Sequence, residues 1–345
     1  MKKLSYIIGL LVIAASLLFS ACNNEAPATS PEALAFNEDG KFKIIQFTDM
    51  HYRPGDTASL RGIKLVNEAL DAEKPDLVVF TGDIVWGKPA KEALDAVLAP
   101  VIERKIPWAM VFGNHDDESD MSRQQLMDSL VQMPYCLSRA GEEHVKGVGN
   151  FIIELKDHDK TKVKSVLYFF DSGAYSPVKG IGTYNWLDFS QVNWYRQKSA
   201  AYTANNNGSP LPALAFLHIP LPEYHTMATK ENANLLGERR ENECNGILNT
   251  GMYTAMRESG DVIGIFAGHD HDNDYIGSYY DIALAYGRYS GGNTVYNNLG
   301  KNGCRVIELW DSKPFFTTYI YLSGGEIINQ VAYPLSFGEE EEDKK

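Results

Sequence analysis

The sequence predicts an α/β fold whose strands deliver polar side chains to one common edge, and three observations carry that prediction. Apolar runs that read as strands alternate with amphipathic runs that read as helices through the first half. Five segments end an apolar run on a carboxylate, an asparagine or a histidine: Asp49 and His51 in FTDMH, Asp83 in TGDIV, Asn114 and His115 in FGNHDD, His218 in AFLHIP, and His269 and His271 in AGHDHDND. Five of the chain's eight histidines fall in these segments. Ligands of open α/β sheets bind outside the carboxyl ends of strands.

The elements follow in order. Lys2 and Lys3 precede an apolar stretch from Leu4 to Phe19, which reads as a secretory signal over residues 1–21. Its end, LFSAC, resembles a bacterial lipoprotein cleavage box with Phe19 in an aliphatic position, and makes Cys22 the expected lipidation site. The stretch is short and is interrupted by Ser5, Gly9 and Ser16, which argues against a transmembrane anchor. The expectation is an exported protein of the cell envelope, held to a membrane by an N-terminal lipid. Residues 22–39, including EAPATSP, read as a tether, residues 40–337 as one domain, and 338–345 (GEEEEDKK) as a solvated acidic tail.

Within the domain, KFKIIQFTD reads as a strand, and Leu60, Ile63, Val66 and Leu70 mark one helical face closed by Lys74 and Pro75. DLVVFTGD reads as a strand, PAKEALDAVLAPVIERK as a helix despite Pro100, and IPWAMVFGNHD as a third strand. The second half reads as mixed or antiparallel sheet. NFIIEL and KSVLYFFDS suggest a hairpin, and NWLDFSQVNWYRQKSAAYT an amphipathic helix. PALAFLH and DVIGIFAGHDH are strands ending on histidines, and IALAYGR, CRVIELW and FFTTYIYL are further strands. The polar segment from Glu223 to Asn249 reads as a long loop near the site.

The formal charge is −13, or −15 once Lys2 and Lys3 are removed, which argues against nucleic acid as a partner because backbone binding needs clustered Lys and Arg. Cys136, Cys244 and Cys304 are odd in number and widely spaced, so they read as structural rather than as a disulfide framework.

The ligand-type residues suit a pair of cations about 3.5–4 Å apart, the arrangement that hydrolyses phosphoesters fastest. Asp83, on a tight Gly-Asp turn, can give one oxygen to each ion. Asp49 and His51 are two apart and share a strand face, as do His269 and His271. Asn114 offers a neutral oxygen. Only two carboxylates would neutralise two divalent ions, and the surplus positive charge attracts phosphate. His115 can then stabilise phosphoryl oxygens or protonate the leaving alkoxide, with Asp116 expected to orient its ring.

The order Asp-x-His, Gly-Asp, Gly-Asn-His-Asp, His, Gly-His-x-His resembles the calcineurin-like metallophosphoesterase superfamily over essentially the whole domain. WAMVFGNHDDES and GHDHDND are most similar to a branch grouped with purple acid phosphatases. The resemblance implies two mixed β-sheets packed face to face with helices outside. It places Asp49, His51, Asp83 and His271 on one ion, and Asp83, Asn114, His218 and His269 on the other. The purple enzymes carry a tyrosine three residues after the bridging aspartate and lack the first histidine. Here those positions are Trp86 and His51, so the expected ions are divalent Mn, Zn or Fe rather than a coloured iron–tyrosinate pair.

Other residues carry weaker signals. His225 can face the substrate or sit on a solvated loop, and Arg288 can reach a phosphate oxygen or form a surface ion pair. Asp270, Asp272 and Asp274 can shape the surroundings of the ions or be ordinary loop residues. Trp86, Tyr184, Trp186 and Tyr224 can line a pocket or belong to the core. The function expected is hydrolysis of a small-molecule phosphate monoester by in-line attack of a metal-bound hydroxide. The alternatives are a phosphodiesterase acting on nucleotide or phospholipid-type esters, and a non-catalytic scaffold, which usually loses the ligands that this chain keeps.

Overall fold

The structure, a computed structural model, describes residues 33–311 and 313–338. The signal segment, Cys22, most of the tether and nearly all of the acidic tail lie outside the described residues. Among the described residues, no helix is long and apolar enough to cross a membrane.

The first unit supplies β1 (Lys41–Phe47), α1 (Leu60–Glu73), β2 (Leu77–Thr81), α2 (Ala90–Glu103) and β3 (Trp108–Val111), with β1, β2 and β3 parallel neighbours. After α3 (Arg123–Leu130), the chain forms the hairpin β4 (Phe151–Lys156) and β5 (Val163–Phe169), then α4 (Phe189–Asn205) and β6 (Ala213–Phe216). Next come α5 (Pro222–Ala228), β7 (Leu235–Leu236), α6 (Met252–Ser259), β8 (Val262–Ala267), β9 (Ile276–Tyr279) and β10 (Ile282–Tyr286). A terminal meander, β11 (Gly303–Trp310), β12 (Phe316–Leu322) and β13 (Glu326–Tyr333), returns antiparallel to β1. The result is two mixed sheets, ordered β13-β12-β11-β1-β2-β3 and β4-β5-β6-β8-β10-β9-β7.

Alternation along the strands explains why these sheets stack. Ile44, Leu77, Val79, Ala109 and Val111 point from the first sheet into a core shared with Leu167, Phe169, Leu214, Phe216 and Phe266 of the second. Their neighbours Ile45, Val78, Phe80 and Met110 face outward onto α1, α2 and α3. Tyr168, Ala215 and Ile265 face α4, α5 and α6. Strands buried on both faces read as near-continuous apolar runs, which is how β2, β3, β6 and β8 looked in the sequence. Arg305 on β11 is fully buried and straps the sheets together, donating to the Tyr286 and Asp274 carbonyls and to Thr318 Oγ1 at 2.6–3.1 Å.

Several expectations are corrected here. The tether reading fails from residue 35: Ala35 bridges Lys156 beside β4, and Phe36 is buried against Phe42. Leu60 is exposed, because α1 presses inward through Gly62, where an added Cβ would lie 3.0 Å from the Met50 methyl group. Gly62, Leu65, Val66, Ala69 and Leu70 form the buried face instead. α4 starts four residues later than its apolar pattern suggests, because Asp188 caps it in a reciprocal pair with Gln191. The Glu223–Asn249 segment is not all loop, since it holds most of α5 and the short β7. The three described cysteines are unpaired, with Cys136 and Cys304 buried.

Candidate metal centre

Five of the seven ligand-type residues lie two or three residues past the end of a strand, Asp49 after β1, Asp83 after β2, Asn114 after β3, His218 after β6 and His269 after β8, and His51 and His271 each follow two residues later on the same loops. Asp49, His51, Asp83 and His269 all take positive φ, between 42° and 83°, a conformation that non-glycine residues seldom adopt. The chain turns sharply at these points to aim each side chain inward. Strain collected at one place in the fold is a mark of a functional site rather than of packing.

Two buried triads result. Asp49, His51 and His271 form one, and Asp83, His218 and His269 form the other, with each triad's ligand atoms within 4.8 Å of one another. Asp83 belongs to both in space: its Oδ2 lies 3.2 Å from His218 Nε2 and 3.6 Å from His51 Nε2. Asn114 Oδ1 is 3.2 Å from His218 Nε2, which places it with the second triad. The ring nitrogens of His51 and His271 stand 3.0 Å apart, and those of His269 and His218 3.2 Å apart. The structure therefore brings together all seven residues expected to be ligands.

The tautomers decide what these atoms need. His218 donates through Nδ1 to the Thr81 carbonyl at 2.7 Å, and His271 through Nδ1 to the Tyr296 carbonyl at 3.0 Å. Both rings thus turn Nε2 toward the carboxylates, as metal-ligating histidines do. Burial pushes His51 and His269 down to about 3, so both are neutral, and each has one buried ring nitrogen without a partner, Nδ1 of His51 and Nε2 of His269. Burial also works against charge on His218, but Asp83 prevails and pushes it up to about 9. For His271 burial is likewise outweighed, by Asp49, and its pKa is raised. Two buried carboxylates thus call for positive charge at two adjacent points, and lone pairs from both triads converge there. That donor set of imidazole nitrogen and carboxylate or amide oxygen fits two divalent cations.

Glycine makes the close approach possible. A Cβ on Gly113 would fall 2.1 Å from Asp83 Oδ1, and one on Gly82 would fall 2.5 Å from the Gly113 nitrogen. Gly113→Ala should therefore displace Asp83 and its loop, costing about 1–3 kcal/mol of stability together with part of the metal content; thermal melting and elemental analysis read both.

The remaining site residues sort differently from expectation. His115 sits at the rim, its N–H donating to Asp83 Oδ1 at 2.8 Å and its ring 5.5 Å from that of His51. Asp116 does not orient that ring. Its buried carboxylate accepts from the backbone N–H groups of Asp83, Ile84, Val85 and Gly113 at 2.7–3.0 Å, so it builds the loop that carries the bridging aspartate. The ring partner is Glu118, whose Oε2 is 2.6 Å from His115 Nδ1. Arg288 cannot serve a phosphate: it is buried, paired with Asp274 at 2.6 Å, and its other donors bind the Leu299 and Lys301 carbonyls. His225 lies on α5, half exposed and paired with Glu243 at 3.1 Å. Asp270 accepts from Tyr286 and the Cys244 N–H, and Asp272 from Asn298, so both brace the loops beside the ligands.

The aromatic residues divide cleanly. Trp86 meets His115 edge-on at 4.5 Å, Tyr184 meets His269 at 4.3 Å, and Tyr296 stacks on His271 at 4.4 Å, so all three wall the centre. Tyr224 is fully buried and belongs to the core. Sequence reasoning missed Tyr296, Tyr175 and Arg123, the last of which holds the Gly113 carbonyl at 2.7 Å while paired with Asp171. Only Glu118 carried a readable signal, being one helical turn from His115.

Two packed mixed sheets with adjoining carboxylate–imidazole triads at their carboxyl edge define a dinuclear metallohydrolase architecture. A family model described as calcineurin-like phosphoesterase matches residues 42–273, and the chain belongs to that family. Among curated relatives, "Probable inactive purple acid phosphatase 29" of Arabidopsis thaliana is 35% identical over 314 residues, covering 82% of this chain and 79% of its own. "Phosphatase DCR2" of Saccharomyces cerevisiae is 37% identical over 275 residues, covering 72% of this chain and 47% of its own. In fold, the chain is similar to a dimetal phosphatase from Danio rerio, with a TM-score of 0.57 at 13% identity over 84% of this chain and 98% of that one. The expected superfamily, its purple acid phosphatase-like branch and the two-sheet architecture are thereby borne out.

Proposed function

We propose that this chain is an exported, lipid-anchored phosphomonoesterase working with two divalent cations, Mn, Zn or Fe. The observation that carries the catalytic part is the complete constellation: two triads sharing Asp83, with His115 at their rim. Relatives of this branch bear the word inactive in their names, yet here no ligand is missing and His115 is present. Asp49, His51, Asp83 and His271 would hold one ion, and Asp83, Asn114, His218 and His269 the other. When bound, the pair supplies Lewis acidity toward phosphoryl oxygens and lowers the pKa of water.

The chain's own residues do the rest. Phosphoryl transfer asks the protein mainly for position and charge. His115 turns Nδ1 to Glu118, which leaves Nε2 for an oxygen of the substrate. Trp86, Tyr184 and Tyr296 narrow the approach with ring faces and edges, and limit water around the reacting phosphorus. Preference for monoesters is supported by the relatives named phosphatases. The export reading is supported by the N-terminal Lys-apolar-Cys22 pattern.

Metal-stripped protein reloaded with Mn, Zn or Fe should hydrolyse p-nitrophenyl phosphate in preference to bis-p-nitrophenyl phosphate. The reverse preference would make it a diesterase. No turnover of either ester or of natural phosphoesters, with both ions bound, would leave a metal-binding scaffold. Palmitate labelling lost on Cys22→Ala would test the anchor.

A further inference from the structure

We propose that Glu118 is the positioning residue for His115 and that Tyr175 clamps it, so that His115 Nε2 meets the leaving oxygen of the phosphoester; this rests on the phosphoesterase reading. Both oxygens of Glu118 are committed. Oε2 is 2.6 Å from His115 Nδ1, and Oε1 accepts from the Tyr175 hydroxyl at 2.6 Å. The Glu118 N–H also donates to the His115 carbonyl at 3.2 Å, so the carboxylate and the ring belong to one turn. His115 and Glu118 follow β3 of one sheet, whereas Tyr175 follows β5 of the other. The clamp therefore closes across the mouth of the centre, and Tyr175 continues it by stacking toward Tyr184, the ring that covers His269.

A carboxylate on Nδ1 fixes which nitrogen carries the inward proton and which faces the substrate. Asp116, the nearer carboxylate in sequence, is consumed by four backbone donors, and that makes Glu118 necessary. In the step served, water supplies an oxygen to phosphorus and the ester P–O bond breaks. The leaving oxygen takes the Nε2 proton of a ring that also keeps its Nδ1 proton toward Glu118, and the proton released by the water restores Nε2. Trp86, packed edge-on against the imidazole, limits ring rotation on the other side.

A purely structural brace would affect all substrates alike, so the leaving group discriminates. Glu118→Gln should lower kcat about tenfold or more on an alkyl ester such as glycerol 2-phosphate, against less than about threefold on p-nitrophenyl phosphate, whose leaving oxygen needs no proton. KM should stay near wild type, and Tyr175→Phe should show the same pattern more weakly. Equal losses on both esters, or none, would overturn the proposal. Independently of turnover, the ring ¹H–¹⁵N correlations of His115 in zinc-loaded protein should show in the wild type an Nδ1 proton held by Glu118, a signal that is lost in Glu118→Ala; an unchanged spectrum would also overturn it. A wild type that hydrolyses neither ester would sink the phosphoesterase reading, and the ring spectrum would then decide the role of Glu118 alone.

Discussion

Asp83→Asn should strip the centre of both ions while leaving the fold in place. Asp83 Oδ2 lies within 3.6 Å of a ring nitrogen of each triad, so its charge serves both points. The amide keeps the shape and can still accept the His115 N–H through one oxygen, but it removes one of only two carboxylates among seven ligands, the other five being imidazole or amide donors. Losing a hydrogen-bond partner of a ligand already costs about 10–100-fold in metal affinity, and losing a shared anionic ligand should cost more. Elemental analysis after gel filtration is the readout, with circular dichroism as the control for folding. Retention of both ions at wild-type affinity would refute a bridging role.

His115→Ala should separate chemistry from metal binding. His115 contributes its backbone N–H, not its ring, to Asp83, and no ligand nitrogen depends on its imidazole. The variant should keep two ions per chain and lose about 10²–10⁴-fold in kcat, the range of a positioned acid–base group. The loss should be steepest on esters with poor leaving groups. Unchanged turnover would remove His115 from the mechanism, and a parallel loss of metal would make it a ligand or a brace instead.

What the sequence revealed about this site has a physical pattern. A buried parallel strand needs a continuous apolar run, and a ligand aimed inward from its end needs a glycine where two loops nearly touch. Val79-Phe80-Thr81-Gly82-Asp83 and Val111-Phe112-Gly113-Asn114 therefore announce themselves. The hairpin of β4 and β5 was readable for the same reason, through its length and alternation. Residues whose role depends on which partner reaches them first were not readable. Asp116 neighbours His115 in the chain, but the backbone donors of the Asp83 loop claim its carboxylate, and Arg288 is claimed by Asp274 before any substrate arrives. Edge strands were missed where one face is solvated: in β13 only Val331 and Tyr333 are buried, and Glu326, Asn329 and Gln330 interrupt the apolar residues. Helix α3 was missed because eight residues with a strong Ser122–Gln125 cap offer too few turns for a periodic signal.

The central claim is that the two triads form one centre joined through Asp83. Electron paramagnetic resonance of protein loaded with Mn, alongside its metal content, tests that claim most directly. Two ions per chain with an exchange-coupled signal, reverting to little bound metal in Asp83→Asn, is the predicted result. A single ion per chain, or the resolved hyperfine lines of isolated Mn at full loading, would contradict it.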